Sequence, residues 1–248
     1  MLQVGSALLG YKIQASDGAI GSVSDFLFDD HTWKVRWLVV DTGKWLPGRL
    51  VLLHPSAIGR ADYQQRILPV TLTTAQVKAS PDVLEDRPVS RQNEFNLYDY
   101  YDWDPLWSSS FVGSGAAVPD RADQAVAEAG VLSNLEGNDP HLRSLSAITG
   151  YDIQASDGAI GHLENTLIED NCWDIRYLVI DTRNWWAGQH VLVSPHAVLG
   201  ISWSAELIHL NVSRAQVKAS PPWKPLDLID EAYEKRLHRH YDWPGYGW

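Results

Sequence analysis

The amino-acid sequence repeats itself at a fixed spacing of 140 residues, and no other feature constrains the fold as strongly. The segment 10–21 returns at 150–161 with a single change, Lys12 to Asp152. Of the 72 positions from 10 to 81, 32 are identical to the position 140 residues further on, without any gap. Because a repeat of this length can bury its own core, the 248-residue chain is predicted to hold two domains of about 100 residues each.

The stretch between the two copies differs from both in composition. Residues 105–141 are rich in Ser, Gly and Ala, and their acidic side chains outnumber the basic ones. Such a composition is typical of a linker between domains. We therefore predict a first domain over 1–104, a linker over 105–141, and a second domain with an aromatic tail over 142–248.

Each copy has the pattern of a mainly β domain that ends in a short helix. Helical spacing of apolar residues over 89–101 and 227–240 predicts one C-terminal helix in each copy. Short strands punctuated by Gly favour a small barrel that is closed or nearly closed. The strands predicted for the first copy are 11–15, 20–28, 33–41, 49–54 and 67–72.

Two kinds of acidic position are interpreted as turns and caps. Asp17-Gly18 and Asp157-Gly158 predict type I′ hairpin turns, in which both central residues need a positive φ. Asp41 and Asp181 end the longest strand of each copy. There a carboxylate either accepts backbone N–H bonds from the following loop or acts as a ligand or base, and we favour the cap. The acidic pairs at 29–30 and 169–170 are interpreted as solvated turns.

Charge and targeting signals exclude several classes of function. The 31 acidic residues against 20 basic ones give a formal net charge of -11, so no nucleic-acid partner is expected. The single cysteine, Cys172, leaves no intramolecular disulfide. Neither a signal peptide nor an apolar stretch of about 20 residues is visible, which predicts a cytoplasmic protein that meets a membrane at most through a partner.

No catalytic constellation emerges from the sequence. It contains no nucleophile elbow, no Walker loop and no dinucleotide fingerprint. His238 and His240 correspond to Tyr98 and Tyr100 of the first copy, so we interpret them as aromatic surface positions rather than zinc ligands. We predict no enzymatic activity, no cofactor and no metal site.

Tryptophan is unusually frequent, with 12 Trp against 4 Phe. Many of these side chains fall in loops and tails, where they either fold back as a lid on their own barrel or form a contact surface for a partner. Arg36 and Arg176 lie mid-strand beside aromatic residues, where a guanidinium can stack on a ring. The predicted binding surface therefore comprises Trp45, Trp103, Trp107, Trp185, Trp186, Trp243, Trp248, Arg36 and Arg176.

The repeated motifs resemble those of a known family. The pattern Gly-Tyr-x-Ile-x-Ala-x-Asp-Gly-x-Ile-Gly at 10–21 and 150–161, followed by Asp-Thr-x-x-Trp-x-x-Gly at 41–48 and 181–188, is similar to the PRC-barrel domain. That fold is shared by the cytoplasmic domain of the photosynthetic reaction centre H subunit and the C-terminal domain of the ribosome-maturation factor. The resemblance, which extends to a bacterial group of double PRC-barrel proteins, implies two small barrels in tandem and implies binding rather than chemistry. We expect the duplicated barrels to pair about a pseudo-twofold axis.

The resulting functional hypothesis is a non-enzymatic adaptor that binds an unidentified protein partner. Three alternatives stay open. They are a self-associating scaffold, a peripheral component of a membrane photosynthetic or electron-transfer complex like the H subunit, and a hydrolase or metal-dependent enzyme.

Overall fold

The fold is described from a computed structural model over residues 1–47, 49–80, 97, 100–101, 141–182, 190–224 and 229–246. The chain forms two compact units. The first-repeat unit is Gly10–Arg143, and the second-repeat unit joins Ser144–Trp248 to the opening segment Met1–Leu9. The predicted boundaries at 104 and 142 stay predictions, because most of the segment between the copies lies outside the described residues.

The opening segment and the first-repeat unit are built mostly of short strands. The elements in chain order are β1 (Leu2–Val4), α1 (Gly5–Leu8), β2 (Lys12–Gln14), β3 (Ala19–Asp29), β4 (Lys34–Asp41), β5 (Leu50–Leu53), β6 (Ile67–Pro69), α2 (Thr74–Ala79) and β7 (Leu142–Ser144). The sheet of the first-repeat unit has the order β5-β4-β3-β2-β6, with β7 added on β3. Strands β2 and β6 are parallel, and the pairs β2–β3, β3–β4 and β4–β5 are antiparallel.

The second-repeat unit has the strand order of the first with one further strand. Its elements are α3 (Leu145–Ile148), β8 (Asp152–Ala155), β9 (Gly158–Glu169), β10 (Ile175–Asp181), β11 (His190–Val193), β12 (Val198–Ser202), β13 (Leu207–Leu210), α4 (Arg214–Lys218) and α5 (Glu231–Tyr241). The sheet runs β11-β10-β9-β8-β13-β12, where β12 is the further strand, and β1 is added on β9. Helix α5 begins after Asp230, whose carboxylate accepts a hydrogen bond of 2.7 Å from the backbone N–H of Tyr233.

One glycine per unit allows the end of a long strand to approach its neighbour closely. A Cβ atom on Gly21 would lie 2.0 Å from the carbonyl oxygen of Asp41, and one on Gly161 would lie 1.9 Å from that of Asp181. Gly161 also has a φ of +141°, a conformation that side chains with a Cβ disfavour. These glycines fix the start of β3 and β9 beside the ends of β4 and β10.

The core of the first-repeat unit includes residues from distant parts of the chain. Trp37 and Val39 of β4 pack with Leu52, with Leu97 and with Leu142 of β7. Leu97, Tyr100 and Tyr101 are helical, as predicted, whereas the rest of the predicted helix 89–101 lies outside the described residues. Both Leu97 and Leu142 are almost fully buried, so a helix residue and an added strand complete this core.

The mainly β class and the five strands predicted for the first copy are confirmed, but the turn type is wrong. Of the four residues in the two predicted type I′ turns, only Gly158 has a positive φ. Asp17 instead accepts hydrogen bonds from the backbone N–H (2.7 Å) and the hydroxyl (2.9 Å) of Thr74. These bonds hold the pKa of Asp17 below its ordinary value. The turn is therefore shaped by its contact with the start of α2.

Helix α2 and its counterpart α4 are absent from the sequence-based prediction. Each begins with a capping box, in which Thr73 pairs with Gln76 and Ser213 pairs with Gln216. Each helix is only one or two turns long, so its apolar spacing gives little signal. Among the described residues, no helix is long and apolar enough to cross a lipid bilayer.

Candidate functional site

In each unit, the sheet pairs with a short strand that precedes the other copy's hairpin in the sequence. In the second-repeat unit, β1 pairs antiparallel with the end of β9, with Leu2 opposite Glu169 and Val4 opposite Leu167. The backbone N–H of Asp170 donates to the carbonyl of Met1 at 3.1 Å. The segment is thus held by a strand ladder, the interaction by which a sheet binds a peptide.

Helix α1 fastens the same segment to the second-repeat unit. The backbone N–H of Ser6 donates to Asn165 Oδ1 at 3.1 Å, and Asn165 Nδ2 donates to the Ser6 hydroxyl at 2.6 Å. Gly5 is buried so closely against Thr166 and Ile168 that a Cβ would lie 2.9 Å from the Thr166 hydroxyl oxygen. Both backbone and side chains therefore define where the segment lies.

The first-repeat unit holds β7 in the corresponding way. The backbone N–H of Asp30 donates to the carbonyl of His141 at 2.9 Å. The Asp30 carboxylate lies 3.0 Å from His141 Nδ1 and accepts a hydrogen bond of 3.3 Å from Arg143 Nε. Asp29 lies 3.6 Å from the Arg36 guanidinium. The acidic turn at 29–30 is therefore engaged by basic side chains, and its interpretation as merely solvated is wrong.

The two bound segments, β1 and β7, are themselves equivalent in the repeat. Leu2 corresponds to Leu142 at the spacing of 140 residues, and Ser6 corresponds to Ser146. The opening strand of the first copy is nevertheless bound in the second-repeat unit, and that of the second copy pairs with β3. Each sheet is completed by the opening strand of the other copy. We call this arrangement the strand exchange.

A second arrangement, found in the second-repeat unit, is a buried polar network beneath α5. The Tyr177 hydroxyl donates to Glu234 Oε1 at 3.0 Å and lies 2.8 Å from His238 Nε2. Arg176 pairs with Glu234 at 3.1 Å and with Glu169 at 2.5 Å. His238 is only 3% exposed, so its interpretation as an aromatic surface position is wrong. The core strand β10 and helix α5 are thus joined by charged and polar groups.

The described part of the C-terminal tail folds back over this network. The Tyr246 hydroxyl donates to the carbonyl of Arg176 and lies 2.8 Å from the Ser194 hydroxyl. The Arg176 guanidinium lies 4.4 Å from the centre of the Tyr246 ring. Trp243 stacks on Tyr241 with ring centres 4.1 Å apart. In this segment the aromatic side chains cover their own unit.

Burial moves the pKa values in this network away from neutrality. It raises the pKa of Tyr177, and it raises the pKa of Tyr246 and that of Cys172 to about 12 each. It lowers the pKa of His238 and that of His196. The two tyrosines and the cysteine thus stay protonated near pH 7, and the two histidines stay neutral. Their contacts are those of a packed interior.

The predicted binding-surface residues have diverse surroundings. Trp45 and Trp243 are half-buried, as are Arg36 and Arg176. The Arg176 guanidinium lies over the ring of Tyr246, in the described part of the C-terminal tail. The remaining predicted residues, Trp103, Trp107, Trp185, Trp186 and Trp248, lie outside the described residues.

Three of the predicted turn and cap aspartates accept hydrogen bonds from backbone amides. Asp157 accepts from the N–H of Arg214 at 2.7 Å, as Asp17 does from Thr74, and Asp41 accepts from the N–H of Gly43 at 2.7 Å. Asp181 is fully buried and lies 3.8 Å from His162 Nε2, and the loop that follows it lies outside the described residues. The glycines beside these turns, Gly18 and Gly158, pack against the side chains of Thr74 and Arg214.

Two groups of side chains in the described residues have the composition of metal ligands. They are Asp30 with His31 and His141, and Glu164 with Asp181 and His190. Neither group was predicted, because each brings together residues that are far apart in the sequence. The signal that could have indicated the second is a difference between the copies, because His162, Glu164 and His190 replace Ser22, Ser24 and Leu50.

Comparison with known families identifies one domain in the chain. Residues 5–77 match the family model of the PRC-barrel domain. The match covers the opening segment from Gly5 and most of the first copy. No curated protein matches the chain.

Proposed function

We propose that the protein is a non-enzymatic adaptor or scaffold that binds other protein chains in the cytoplasm. In this proposal the second copy is a further PRC-barrel domain in tandem with the one at 5–77, and each copy closes into a small barrel. Two barrels in one chain offer two binding modules. Such duplication suits a protein that brings partners together.

The strand exchange is the observation that carries this proposal. Each sheet pairs with a short strand from the other copy, and the first-repeat unit also buries Leu142 of that strand beside Trp37. Backbone pairing of this kind is a common mode of protein–protein recognition. Because an exchanged segment can be supplied by another chain as well as by the same one, the exchange offers a route to self-association.

The protonation states of the buried groups support a binding role over acid–base catalysis. A general acid or base works best with a pKa near the working pH. Burial raises the pKa values of Tyr177, Tyr246 and Cys172 and lowers the pKa of His238, in each case away from that range. These groups are therefore suited to structural contacts.

The adaptor proposal is tested by chemical crosslinking in the native cell with the full chain and two variants. Gln3→Pro removes a backbone donor from β1, whereas the control Gln3→Ala keeps it. We expect the wild type and Gln3→Ala to crosslink to another chain through β1 or the strand that binds it, and Gln3→Pro to lose most of this product. Intramolecular crosslinks alone in the wild type contradict the proposal.

Light scattering then distinguishes the scaffold from the adaptor. If the partner is a second copy, the mean mass of the purified wild-type chain rises with concentration, and it rises less for Gln3→Pro. A mass that stays at that of one chain excludes the scaffold and leaves a different protein as the partner. A rise that is equal in all three chains excludes β1 as the exchanged element.

A further inference from the structure

Two histidines flank an aspartate at one end of the sheet in the second-repeat unit. Asp181 at the end of β10 lies directly opposite His162 of β9 on one side and His190 of β11 on the other. Directly opposed residues on antiparallel strands project from the same face of the sheet. The three side chains therefore form a row across three neighbouring strands.

A β-bulge adds a fourth ligand-type side chain to this row. The register between β9 and β10 shifts where Val179 pairs with Asn165 and Ile180 pairs with Leu163, so Glu164 is the extra residue. Bulges redirect side chains and are frequent beside functional sites. Here the Glu164 carboxylate reaches His190 Nε2 at 2.8 Å.

Three of the side chains offer converging nitrogen and oxygen atoms, and His162 lies beside them. The ligand atoms of Glu164, Asp181 and His190 all lie within 4.8 Å of one another, and His162 Nε2 lies 3.8 Å from Asp181 Oδ2. The Asp181 side chain is fully buried, whereas those of His162, Glu164 and His190 are 33%, 39% and 22% exposed. The buried carboxylate of Asp181 is thus surrounded by three side chains that solvent can reach.

We propose that His162, Glu164, Asp181 and His190 bind a divalent transition-metal ion, with Zn²⁺ as the ion that the site fits. Two imidazole nitrogens and two carboxylate oxygens are a donor set that zinc accepts in a tetrahedral arrangement. The ion would cross-link the ends of β9, β10 and β11 and neutralise the two carboxylates. This site is independent of the proposed adaptor function.

The first copy has the corresponding strands but lacks three of the four ligand residues. Ser22, Ser24 and Leu50 stand where the second copy has His162, Glu164 and His190. Asp41, which corresponds to Asp181, is exposed, and its carboxylate accepts the N–H of Gly43. The ligand set therefore belongs to the second copy alone.

The other group of ligand-type residues serves as an internal control. Asp30 accepts a hydrogen bond from the Arg143 guanidinium, and the ring centres of His31 and His141 lie only 3.8 Å apart. A guanidinium on the only carboxylate of the group competes with a cation for it. We expect this group not to bind zinc tightly.

The test measures Zn²⁺ binding to the full chain after removal of metal, by competition with a chromogenic chelator. We compare the wild type with His190→Gln, with Glu164→Gln and with the double variant His31→Ala/His141→Ala. We expect one Zn²⁺ per wild-type chain and an affinity at least about 10-fold weaker in His190→Gln, since loss of a ligand costs no less than loss of a residue that supports one. The double variant keeps the wild-type affinity.

A second readout separates binding from folding. Co²⁺ in place of Zn²⁺ shows the visible absorption of a four-coordinate ion in the wild type and loses it in Glu164→Gln, while circular dichroism without metal stays the same for both chains. Zn²⁺ raises the unfolding temperature of the wild type and not of His190→Gln. The proposal is overturned if the wild type binds no Zn²⁺, if His190→Gln keeps its affinity, or if His31→Ala/His141→Ala loses it.

Discussion

The two repeat units share a strand order and differ in what fills the space beside the long central strand. In the first-repeat unit, Trp37 is fully buried and its ring lies 5.5 Å from that of His54. In the second-repeat unit the same two positions hold Tyr177 and Ser194. The second pair is smaller and more polar, and Tyr246 of the tail approaches both of its members.

This difference shows how one fold accepts different side chains at the same two positions. Among the described residues, Trp37 packs with apolar side chains in its cluster. The Tyr177 hydroxyl needs hydrogen-bond partners when it is buried, and Glu234 and His238 of α5 supply them. In the second-repeat unit the polar network around Tyr177 therefore links strand, helix and tail, so that a change in any of them should affect the others.

The largest effect is expected at the glycine that both units require. Gly161→Ala and Gly21→Ala place a Cβ about 2 Å from a backbone carbonyl, so the strand ends must separate. Each change should lower the free energy of unfolding by about 3 kcal/mol or more, and Gly161→Ala should cost more because of its positive φ. Urea unfolding measures both. A loss below about 1 kcal/mol at either position would show that the close approach is not a shared requirement.

The next effect is expected at the charged centre of the network in the second-repeat unit. Arg176→Met leaves the half-buried carboxylates of Glu169 and Glu234 without their shared cation. The expected loss in unfolding free energy is about 3 kcal/mol. The matched control is Lys235→Met, which breaks an exposed pair with Glu231 and should cost less than about 0.5 kcal/mol. Equal losses in the two variants would mean that the network adds nothing beyond surface pairing.

A smaller effect is expected from the removal of one hydroxyl. Tyr177→Phe removes the buried hydroxyl that contacts both Glu234 and His238, and it should cost about 1–2 kcal/mol. Tyr100→Phe in the first-repeat unit removes a bond from the hydroxyl to the carbonyl of Gln76, at a half-exposed position that is 40% accessible. Its expected cost is at most about 0.5 kcal/mol. Thermal unfolding of both variants, measured side by side, tests whether the two units differ as described.

The smallest effect is a dependence of stability on acid pH in the second-repeat unit. Burial lowers the folded-state pKa of His238, so folding favours its neutral form. Stability is full above the unfolded pKa of about 6.5 and falls as the pH drops towards the lower folded pKa. One proton limits this slope to about 1.4 kcal/mol per pH unit. The free energy of unfolding should differ less between pH 7.5 and pH 5.5 in His238→Gln than in the wild type. Equal differences in the two chains would show that other groups cause the pH dependence.

The sequence predicts those parts of the fold that depend on local pattern. Alternation of apolar residues gave the strands of the first copy, and the repeat gave the second copy a sheet of the same order. The strand exchange was not predictable in this way, because residue types alone do not show which copy's long strand pairs with Leu2–Val4. Pairing with β9 rather than β3 depends on the path of the chain.

The polar network and the ligand row escaped prediction for a related reason. Their members are Tyr177 and Glu234, or His162 and His190, which are far apart in sequence and come together only through strand register and the docking of α5. What the sequence does contain is the list of positions where the two copies differ. Those differences, rather than the shared motifs, mark the chemistry of the second copy.

One disulfide experiment tests the strand exchange most directly. In a Cys172→Ser background, Leu2→Cys is combined either with Glu169→Cys, its partner in the register, or with Asp29→Cys, the equivalent residue of its own copy. Intact-mass and gel analysis after mild oxidation should show a disulfide in the 2–169 pair and none in the 2–29 pair. A disulfide in the 2–29 pair alone would contradict the exchange.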